Sequence, residues 1–273
     1  MSTTTEAMSG RDGHHDWRQA GEAWGRRAND WSCLLEHYSL DVLLAVYSQL
    51  GIGNGTRLLD IACGSGLGTR VAAAMGAEVC AIDASSTLTA IASSRTPSAE
   101  LCTGSMFELP WADESFDAAV SINGIWGGCE AALAEANRVL RPGAPIAISF
   151  WGMGPPLDLR ECFKVFARHS PREHLGSMKQ LNNIGVPGVA EQMLNTSGFV
   201  VEQRDRRVSV SEWPDAELAW RALSSMGPAV PALINGDVDA VKRDVLAVIE
   251  SCRDEQGIYR LRNDHTYVIA RKD

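Results

Sequence analysis

Short apolar segments alternate with helical segments between residues 57 and 151, and this alternation limits the folds open to the chain more than any other feature. Strands that are apolar along their whole length are buried on both faces, and the helices between them cover those faces. The pattern therefore predicts an α/β fold with a parallel sheet. The predicted strands are RLLDI (57–61), EVCAID (78–83), ELCTG (100–104), FDAAVSI (116–122) and APIAISFW (144–151), and the predicted helices are 66–77, about 85–94 and 130–140.

The remaining residues are expected to extend the same unit. Two further strands are predicted at FVVEQRDRRVSV (199–210) and HTYVIARK (265–272), and a helix at 186–198 with Pro187 near its first position. We expect a single domain over residues 16–273 after a disordered tail, residues 1–15. Its core is predicted at about 56–151, 186–210 and 263–273, and its lid segments at 17–50, 152–185 and 211–262.

The composition argues against several classes of function. The 273-residue chain carries a formal net charge of −9, which is unfavourable for binding the phosphate backbone of nucleic acid. Its seven cysteines show neither a disulfide framework nor the spacing of zinc ligands, so a reducing cytoplasm is expected. No segment reads as a membrane span, and the N-terminus does not resemble a signal peptide. The sequence is compatible with a homodimer but carries no specific signal for one.

The stretch LLDIACGSGLG (58–68) joins the first predicted strand to the first helix of the alternation. In an open α/β sheet, ligands bind where strands end, at the point where the strand order reverses. Gly64, Ser65 and Gly66 lack bulk, so a ligand can approach the backbone closely there. Close packing of a helix on a strand also requires glycine, so the turn alone leaves a nucleotide-type site and a plain structural connection equally open.

Two acids favour a ligand site and indicate its kind. Asp60 stands at the end of the first strand, where it would repel a pyrophosphate but suits a ligand with a cationic amino-acid group. Asp83 ends the second strand, 17 residues after Gly66, where an acid accepts hydrogen bonds from the hydroxyls of an adenosine ribose. The alternative for Asp83 is an acid stabilised by the dipole of the helix that follows it.

Four motifs, in order along the chain, resemble those of the class I S-adenosylmethionine-dependent methyltransferases, in the UbiE-like group that acts on small molecules. LLDIACGSG resembles the first motif, an acid followed by a glycine-rich turn, although Ala62 stands where that motif has its first glycine. AIDAS (81–85) resembles the second motif, which carries the ribose acid. The other two matches are GSMFELPWADESFDAAVSI (104–122) and RVLRPGAPIAISFW (138–151), so the resemblance covers about residues 56–151.

The resemblance implies a seven-stranded, mostly parallel Rossmann-like sheet with helices on both faces, an antiparallel last strand and a helical lid. It also implies S-adenosyl-L-methionine as the cofactor and a small-molecule methyl acceptor as the partner. The residues that it assigns to the cofactor are Asp60, Ala62, Gly64, Ser65, Gly66, Asp83, Ala84, Ser105, Met106 and Ser121.

Ser105 departs from the family's pattern. The family usually has an acid at this position, whose side chain holds the adenine amino group. A serine hydroxyl can still accept one hydrogen bond, and Met106 offers a backbone contact and a soft apolar surface for the ring. We therefore expect a looser hold on adenine, without a change of cofactor.

The methyl group of S-adenosylmethionine is carried by a positively charged sulfur, so the protein mainly has to bring a nucleophile in line with it. A base is needed only when the acceptor must first lose a proton. His37 is preferred for that role over His169, His174 and His265, because the N-terminal helices usually cover the methyl group in this family. Each histidine could instead be a packed or solvated side chain.

Asn123 and Trp126 follow the fourth strand, and Trp151 ends the fifth. The resemblance puts Trp126 where the family positions the substrate or the methionine part of the cofactor, and Asn123 could orient either of the two. All three are expected at the acceptor. The tryptophans in and beside the lid segments indicate an apolar or aromatic acceptor, although any one of them could simply anchor the core. Two other functions stay open. The same motifs could hold S-adenosylmethionine structurally, in a cyclase or a regulator. A nicotinamide-dependent oxidoreductase could also use a similar sheet, but Asp60 and the LP…SFD stretch (109–117) count against it.

Overall fold

The computed structural model describes residues 17–172 and 183–273. The tail predicted at residues 1–15 and the candidate His174 lie outside the described residues. Within the described part of the chain, no helix is both long enough and apolar enough to cross a membrane.

One seven-stranded sheet forms the centre of the fold. Its strands are β1 (Arg57–Ile61), β2 (Glu78–Asp83), β3 (Glu100–Thr103), β4 (Ala118–Ile122), β5 (Pro145–Trp151), β6 (Phe199–Trp213) and β7 (Tyr259–Lys272). Their order is β3-β2-β1-β4-β5-β7-β6. The pairs among β1 to β5 are parallel, and β7 runs antiparallel to both β5 and β6. The predicted mostly parallel sheet with an antiparallel last strand is therefore confirmed.

Helices surround the sheet and form a further layer beside it. They are α1 (Trp17–Gly25), α2 (Ala28–Asp30), α3 (Leu40–Leu50), α4 (Leu67–Ala74), α5 (Ser86–Arg95), α6 (Glu130–Val139), α7 (Leu159–His169), α8 (Val189–Thr196), α9 (Ala216–Leu223), α10 (Val230–Asn235) and α11 (Val238–Ile249). The predicted cap of α5 is confirmed, since the Ser85 hydroxyl accepts a hydrogen bond from the amide of Leu88.

Neighbouring residues of each strand serve two different cores, because consecutive side chains point to opposite faces of a sheet. On one face, Leu58 of β1 packs in a buried cluster with residues of α3 and α4. On the other face, Leu59 packs with residues of α6 and α8. This is why the strands are apolar along their whole length.

A third buried cluster lies among α7, α9, α10 and α11. It also contains Leu35 and Tyr38 from the N-terminal segment and Trp213 at the end of β6. Side chains from all three predicted lid segments therefore share one apolar cluster beside the sheet.

The N-terminal segment, for which the sequence predicts helical structure over 17–50, is interrupted in its middle. Residues Trp31–Leu35 form a π-helical turn and Glu36–Ser39 a 3₁₀ turn before α3 begins. Wider or tighter turns of this kind rotate side chains away from a regular helical stripe and often mark functional positions. α3 is followed directly by Gly51, which caps the helix with a φ of +65° that suits glycine.

Several boundaries differ from the sequence prediction, and two of them are informative. α8 begins at Val189 with Gly188 as its N-cap at φ +92°, so Pro187 precedes the helix instead of standing near its first position. β7 begins at Tyr259, six residues before the predicted start, and pairs along its length with β6. The extra residues of β7 are held by a partner strand that is distant in sequence, which a local pattern cannot reveal.

Candidate cofactor and acceptor site

The site predicted from the sequence lies at the carboxyl ends of the parallel strands. The strand order reverses between β1 and β4, which is where ligands bind in open α/β sheets. Asp60 and Asp83 stand at the ends of β1 and β2, and Asn123 and Trp151 at the ends of β4 and β5. The fold therefore brings these four predicted site residues to one edge of the sheet.

The two glycines of the first turn are required for different reasons. A Cβ atom on Gly66 would lie 2.7 Å from Cβ of Ala92 on α5, so this glycine allows the two helices to pack. A Cβ atom on Gly64 would meet nothing nearer than Nε1 of Trp31, at 3.6 Å. Gly64 has a φ of +57°, and Ala62, in the place of the family's first glycine, has a φ of +56°. A non-glycine residue in this region is strained, which is more frequent at functional sites.

Asp83 ties the glycine turn to the start of α5. Its Oδ2 accepts a hydrogen bond of 2.9 Å from the amide of Gly64, and its Oδ1 accepts one of 2.8 Å from the amide of Ser85. Burial raises the pKa of this carboxyl, while both hydrogen bonds lower it. Each carboxylate oxygen has two acceptor positions, so each can still accept a ribose hydroxyl. Asp83 therefore has a structural role at the turn, and its ligand role stays a prediction with which the free acceptor positions are compatible.

Asp60 is buried at the end of β1, with 3% of the residue exposed. Its Oδ2 accepts a hydrogen bond of 2.8 Å from the Thr69 hydroxyl on α4. Burial raises the pKa of Asp60 to about 6, and the hydrogen bond from Thr69 opposes that rise. A buried carboxylate with one neutral partner gives this edge of the sheet a negative potential, which suits a cationic ligand.

Glu36 and Arg95, which the sequence did not single out, meet at the glycine turn. The Glu36 carboxylate accepts short hydrogen bonds from the Ser65 hydroxyl and from the Arg95 guanidinium. Arg95 also donates to the backbone carbonyls of Ser65, at 3.1 Å, and Ser32, at 3.0 Å. Arg95, at the end of α5, thereby connects the irregular N-terminal turns to the glycine turn.

The N-terminal helix lies against the start of α5. A Cβ atom on Gly21 would lie 2.2 Å from the carbonyl oxygen of Ala84, so only glycine allows α1 to approach this closely. Ala84 was assigned to the cofactor by the resemblance, and its carbonyl faces α1 here.

The predicted adenine residues follow β3. The Ser105 hydroxyl accepts a hydrogen bond of 3.2 Å from the amide of Phe107, which stabilises the turn. Met106 is buried in the cluster that also contains Leu59 and Ile82. Ser105 thus retains an acceptor position at the end of β3, although its hydroxyl is shorter than the side chain of the acid that the family usually places there.

Three buried polar atoms near the end of β4 have no partner among the described residues. They are Oγ of Ser121, Oδ1 of Asn123 and Nε1 of Trp126. Buried polar atoms are nearly always hydrogen-bonded, so unpaired ones within six residues of each other indicate a site that a ligand completes. With the turn at Gly64 and the carboxylate of Asp83, these atoms fit a molecule that has an adenosine part and an amino-acid part.

Aromatic rings lie next to Asn123, whose Nδ2 donates to the Tyr38 hydroxyl at 2.7 Å. The ring centroids of Tyr38 and Trp151 are 4.6 Å apart, and those of Trp151 and His265 are 5.0 Å apart. Trp31 meets Tyr38 edge to face at 6.0 Å. The residue Trp151, predicted from the sequence, therefore belongs to an aromatic cluster that the sequence did not reveal.

His37 does not join this cluster. Its side chain is exposed, whereas Glu36 and Tyr38 on either side of it are buried. Its catalytic role stays a prediction without a contact to support it. His265 lies inside the cluster and His169 pairs with Asp244 at 2.8 Å on α11. The turns at 31–39 do not follow a regular helix, so helical periodicity could not show that Glu36 and Tyr38 are buried while His37 between them is exposed.

Comparison with known proteins agrees with this geometry. A family model described as a methyltransferase domain matches residues 59–148. A malonyl-[acyl-carrier protein] O-methyltransferase of Methylococcus capsulatus is 30% identical over 220 residues, which cover 77% of this chain and 76% of that protein. A demethylmenaquinone methyltransferase of Renibacterium salmoninarum is 34% identical over 106 residues, which cover 38% of this chain but only 45% of that protein.

A solved structure shows the same fold. It is of a Bacillus halodurans protein assigned as a methyltransferase, with a TM-score of 0.60 and 17% identity, over 85% of this chain and 99% of that chain. The match to the Methylococcus protein spans most of both chains. The chain therefore belongs to the class I S-adenosylmethionine-dependent methyltransferases, as the four motifs in its sequence predict.

Proposed function

We propose that this protein transfers the methyl group of S-adenosylmethionine to an oxygen, nitrogen or carbon centre of a small molecule with an apolar or aromatic body. One observation carries the proposal. Gly64 and Asp83, from the two motifs assigned to the cofactor, are hydrogen-bonded to each other at the edge of the sheet where the strand order reverses. This arrangement suits a nucleoside whose ribose lies at Asp83.

The residues assigned to S-adenosylmethionine divide by the part of the molecule that they suit. Asp83 suits the ribose hydroxyls, and Ser105 with Met106 suits the adenine. Asp60, Ser65 and the backbone around Ala62 and Gly64 suit the methionine part, with Ser121 offering a free hydroxyl. Bound S-adenosylmethionine supplies a methyl group on a positively charged sulfur.

The chain's own contribution is to hold the acceptor in line with that methyl group and to exclude water. Asn123, Trp126 and Trp151 support this role because they lie at the ends of β4 and β5, beside the aromatic cluster. The aromatic rings favour an apolar or aromatic acceptor over a strongly hydrated one.

A cyclase or regulator that holds the cofactor structurally is the second candidate, because it would have the same cofactor residues. It differs in one measurable respect: the cofactor would not be consumed. The nicotinamide-dependent alternative is disfavoured by membership of the methyltransferase family and by the buried carboxylate of Asp60 at the turn.

The proposal also covers the partners, the cellular location and the oligomeric state of the protein. The net charge of −9 supports an enzyme without a nucleic-acid partner. All seven cysteines are free, which supports a reducing cytoplasm. A homodimer stays a prediction, which sedimentation velocity would measure directly.

Titration calorimetry with S-adenosylmethionine, S-adenosylhomocysteine and NAD tests the proposal. We expect both sulfur ligands to bind and Asp83→Ala to lose that binding. Asp113→Ala is the control, because Asp113 is an exposed acid that pairs with Arg138 away from the turn. Acceptors are then screened by mass spectrometry for the gain of one methyl group. Binding of NAD without a response to either sulfur ligand would contradict the proposal, and binding without turnover of the cofactor would favour the cyclase or regulator.

A further inference from the structure

Ser149 links the backbone of Asn123 to the ring of His265. The amide of Asn123 donates to Oγ of Ser149 at 3.2 Å, and this oxygen is 3.1 Å from Nε2 of His265. The same amide donates to the backbone carbonyl of Ser149 at 3.0 Å, so it is shared between two acceptors. Among the described residues, Nε2 of His265 is the one acceptor within reach of the Ser149 hydroxyl, so the hydroxyl proton is satisfied only when it points to Nε2. In a neutral imidazole the other nitrogen then carries the ring proton. This geometry places the N–H of His265 on Nδ1.

The N–H on Nδ1 of His265 has no partner among the described residues. The residue is completely buried, and burial lowers its pKa to about 3, so the ring is neutral. A buried donor without a partner has lost its hydrogen bond to water and gained none in return, which is unfavourable. A ligand that accepts a hydrogen bond from Nδ1–H of His265 would restore the missing interaction.

Asn123 and Tyr38 leave one more donor and one acceptor unused. Nδ2 of Asn123 donates to the Tyr38 hydroxyl at 2.7 Å, which leaves the Tyr38 proton free to donate. Oδ1 of Asn123 is buried without a partner. Asn123 also has a left-handed backbone, with φ of +58°. Strain of this kind occurs at functional sites, where the surrounding structure holds a residue in place.

The unused groups lie against one aromatic surface. Tyr38 and His265 both contact the Trp151 ring, and their own ring centroids are 5.7 Å apart. In apolar surroundings a hydrogen bond is stronger than in water. The cluster therefore offers two neutral donors, from Tyr38 and His265, and one acceptor, from Asn123.

We propose that Tyr38, Asn123 and His265 bind a hydroxyl group of the methyl acceptor, and that the acceptor is therefore an alcohol or a phenol. A hydroxyl oxygen accepts two hydrogen bonds and its proton is donated once, which is the complement of two donors and one acceptor. An ammonium group has only donors and would face the donors of Tyr38 and His265. A carboxylate has only acceptors and would face Oδ1 of Asn123. The assignment rests on the proposed function.

Binding of two matched ligands tests the assignment. Calorimetry in the presence of S-adenosylhomocysteine compares 2-naphthol with 2-methoxynaphthalene, which has the same rings but no hydroxyl proton. We expect 2-naphthol to bind about fivefold more tightly, since the methoxy compound lacks only the hydrogen bond that the hydroxyl proton donates. Tyr38→Phe should weaken binding of 2-naphthol about fivefold. The control is Tyr259→Phe, which removes a hydroxyl that donates to Glu250 outside this cluster.

The histidine is tested separately. His265→Asn keeps an N–H donor near the position of Nδ1 and should retain most of the affinity for 2-naphthol, whereas His265→Leu should not. Nitrogen NMR of the wild-type protein with labelled histidine reports the tautomer even if His265→Leu fails to fold. We expect the Nδ1–H form.

Equal affinity for the two naphthalenes, no binding of 2-naphthol, an unchanged affinity in Tyr38→Phe or an Nε2–H tautomer would overturn the assignment. If S-adenosylhomocysteine binds in those experiments, the proposed function stands and only the assignment of the acceptor fails. If S-adenosylhomocysteine does not bind to the wild-type protein, the proposed function itself fails.

Discussion

The amide of Gly64 donates a hydrogen bond of 2.9 Å to Oδ2 of Asp83, which joins the turn after β1 to the end of β2. The two residues are 19 positions apart, and each belongs to a different motif. Their contact means that the shape of the glycine turn and the position of the ribose acid depend on each other. Other residues at this edge of the sheet make contacts whose contribution to stability or to ligand binding can be measured.

Gly124→Ala should destabilise the protein, because its Cβ atom would lie 2.4 Å from Cβ of Ala62 and 2.6 Å from Oγ of Ser121. Overpacking of this kind costs about 1–3 kcal/mol. Urea unfolding measures the loss. Gly53→Ala is the matched control, since its Cβ atom would meet only the Met75 carbonyl, at 3.5 Å. Equal stability of the two variants would show that the turns after β1 and β4 are not in close contact.

Arg95→Gln should destabilise the protein by about 2 kcal/mol, since it leaves the nearly buried Glu36 carboxylate without its cation. The double variant with Glu36→Gln should recover part of that loss, because both charges are then absent. Lys164→Gln provides the control, as the Lys164–Glu161 pair is exposed and contributes little. Thermal or urea unfolding of the wild type, Arg95→Gln, Glu36→Gln and the double variant measures the coupling, and strict additivity of the two changes would contradict it.

Asp60 should make the protein less stable as the pH rises from about 4 to 6. Its pKa in the folded protein is about 6, above the ordinary value of 3.8, so the folded state binds the proton more tightly. Stability is therefore favoured at low pH and falls as the carboxyl ionises in the folded state. The fall should be on the order of 3 kcal/mol, since one pKa unit corresponds to about 1.4 kcal/mol.

Asp60→Asn isolates this effect, because an amide oxygen can still accept the hydrogen bond from Thr69 but cannot ionise. Other carboxyls titrate in both proteins, so the quantity to compare is the difference in free energy of unfolding between wild type and variant. We expect the free energy of unfolding of Asp60→Asn, relative to that of the wild type, to increase as the pH rises from 4 to 6. A constant difference over that range would show that Asp60 titrates normally.

Ser105→Asp should tighten binding of S-adenosylhomocysteine, because it restores the acid that the family usually has beside the adenine amino group. A hydrogen bond to a charged group contributes about 1.5–3 kcal/mol, so an increase in affinity of about tenfold is expected. Calorimetry measures it. The new side chain can also accept from the amide of Phe107, as Ser105 does now. An unchanged affinity would place the adenine contact elsewhere.

The strands, their alternation with helices and the glycine turn could be predicted from the sequence. The reason is that these features depend on local chemistry. Apolar runs must be buried, glycines permit tight turns, and the acids at the ends of β1 and β2 follow directly from the register of those strands. Asp60, Asp83 and Asn123 could be placed at one edge because parallel strands end on the same side of a sheet.

The contacts around the proposed acceptor site could not be predicted from the sequence. Glu36 and Arg95 meet across 59 positions, Tyr38 and Asn123 across 85, and Ser149 and His265 across 116. The irregular turns at 31–39 remove the helical period that would have indicated which side chains face inward. The prediction of His37 rests on the place of the N-terminal helices in the family, and that place does not tell which side chains of the turns are buried. Contacts between groups so distant in sequence are set by chain packing, which no local pattern records.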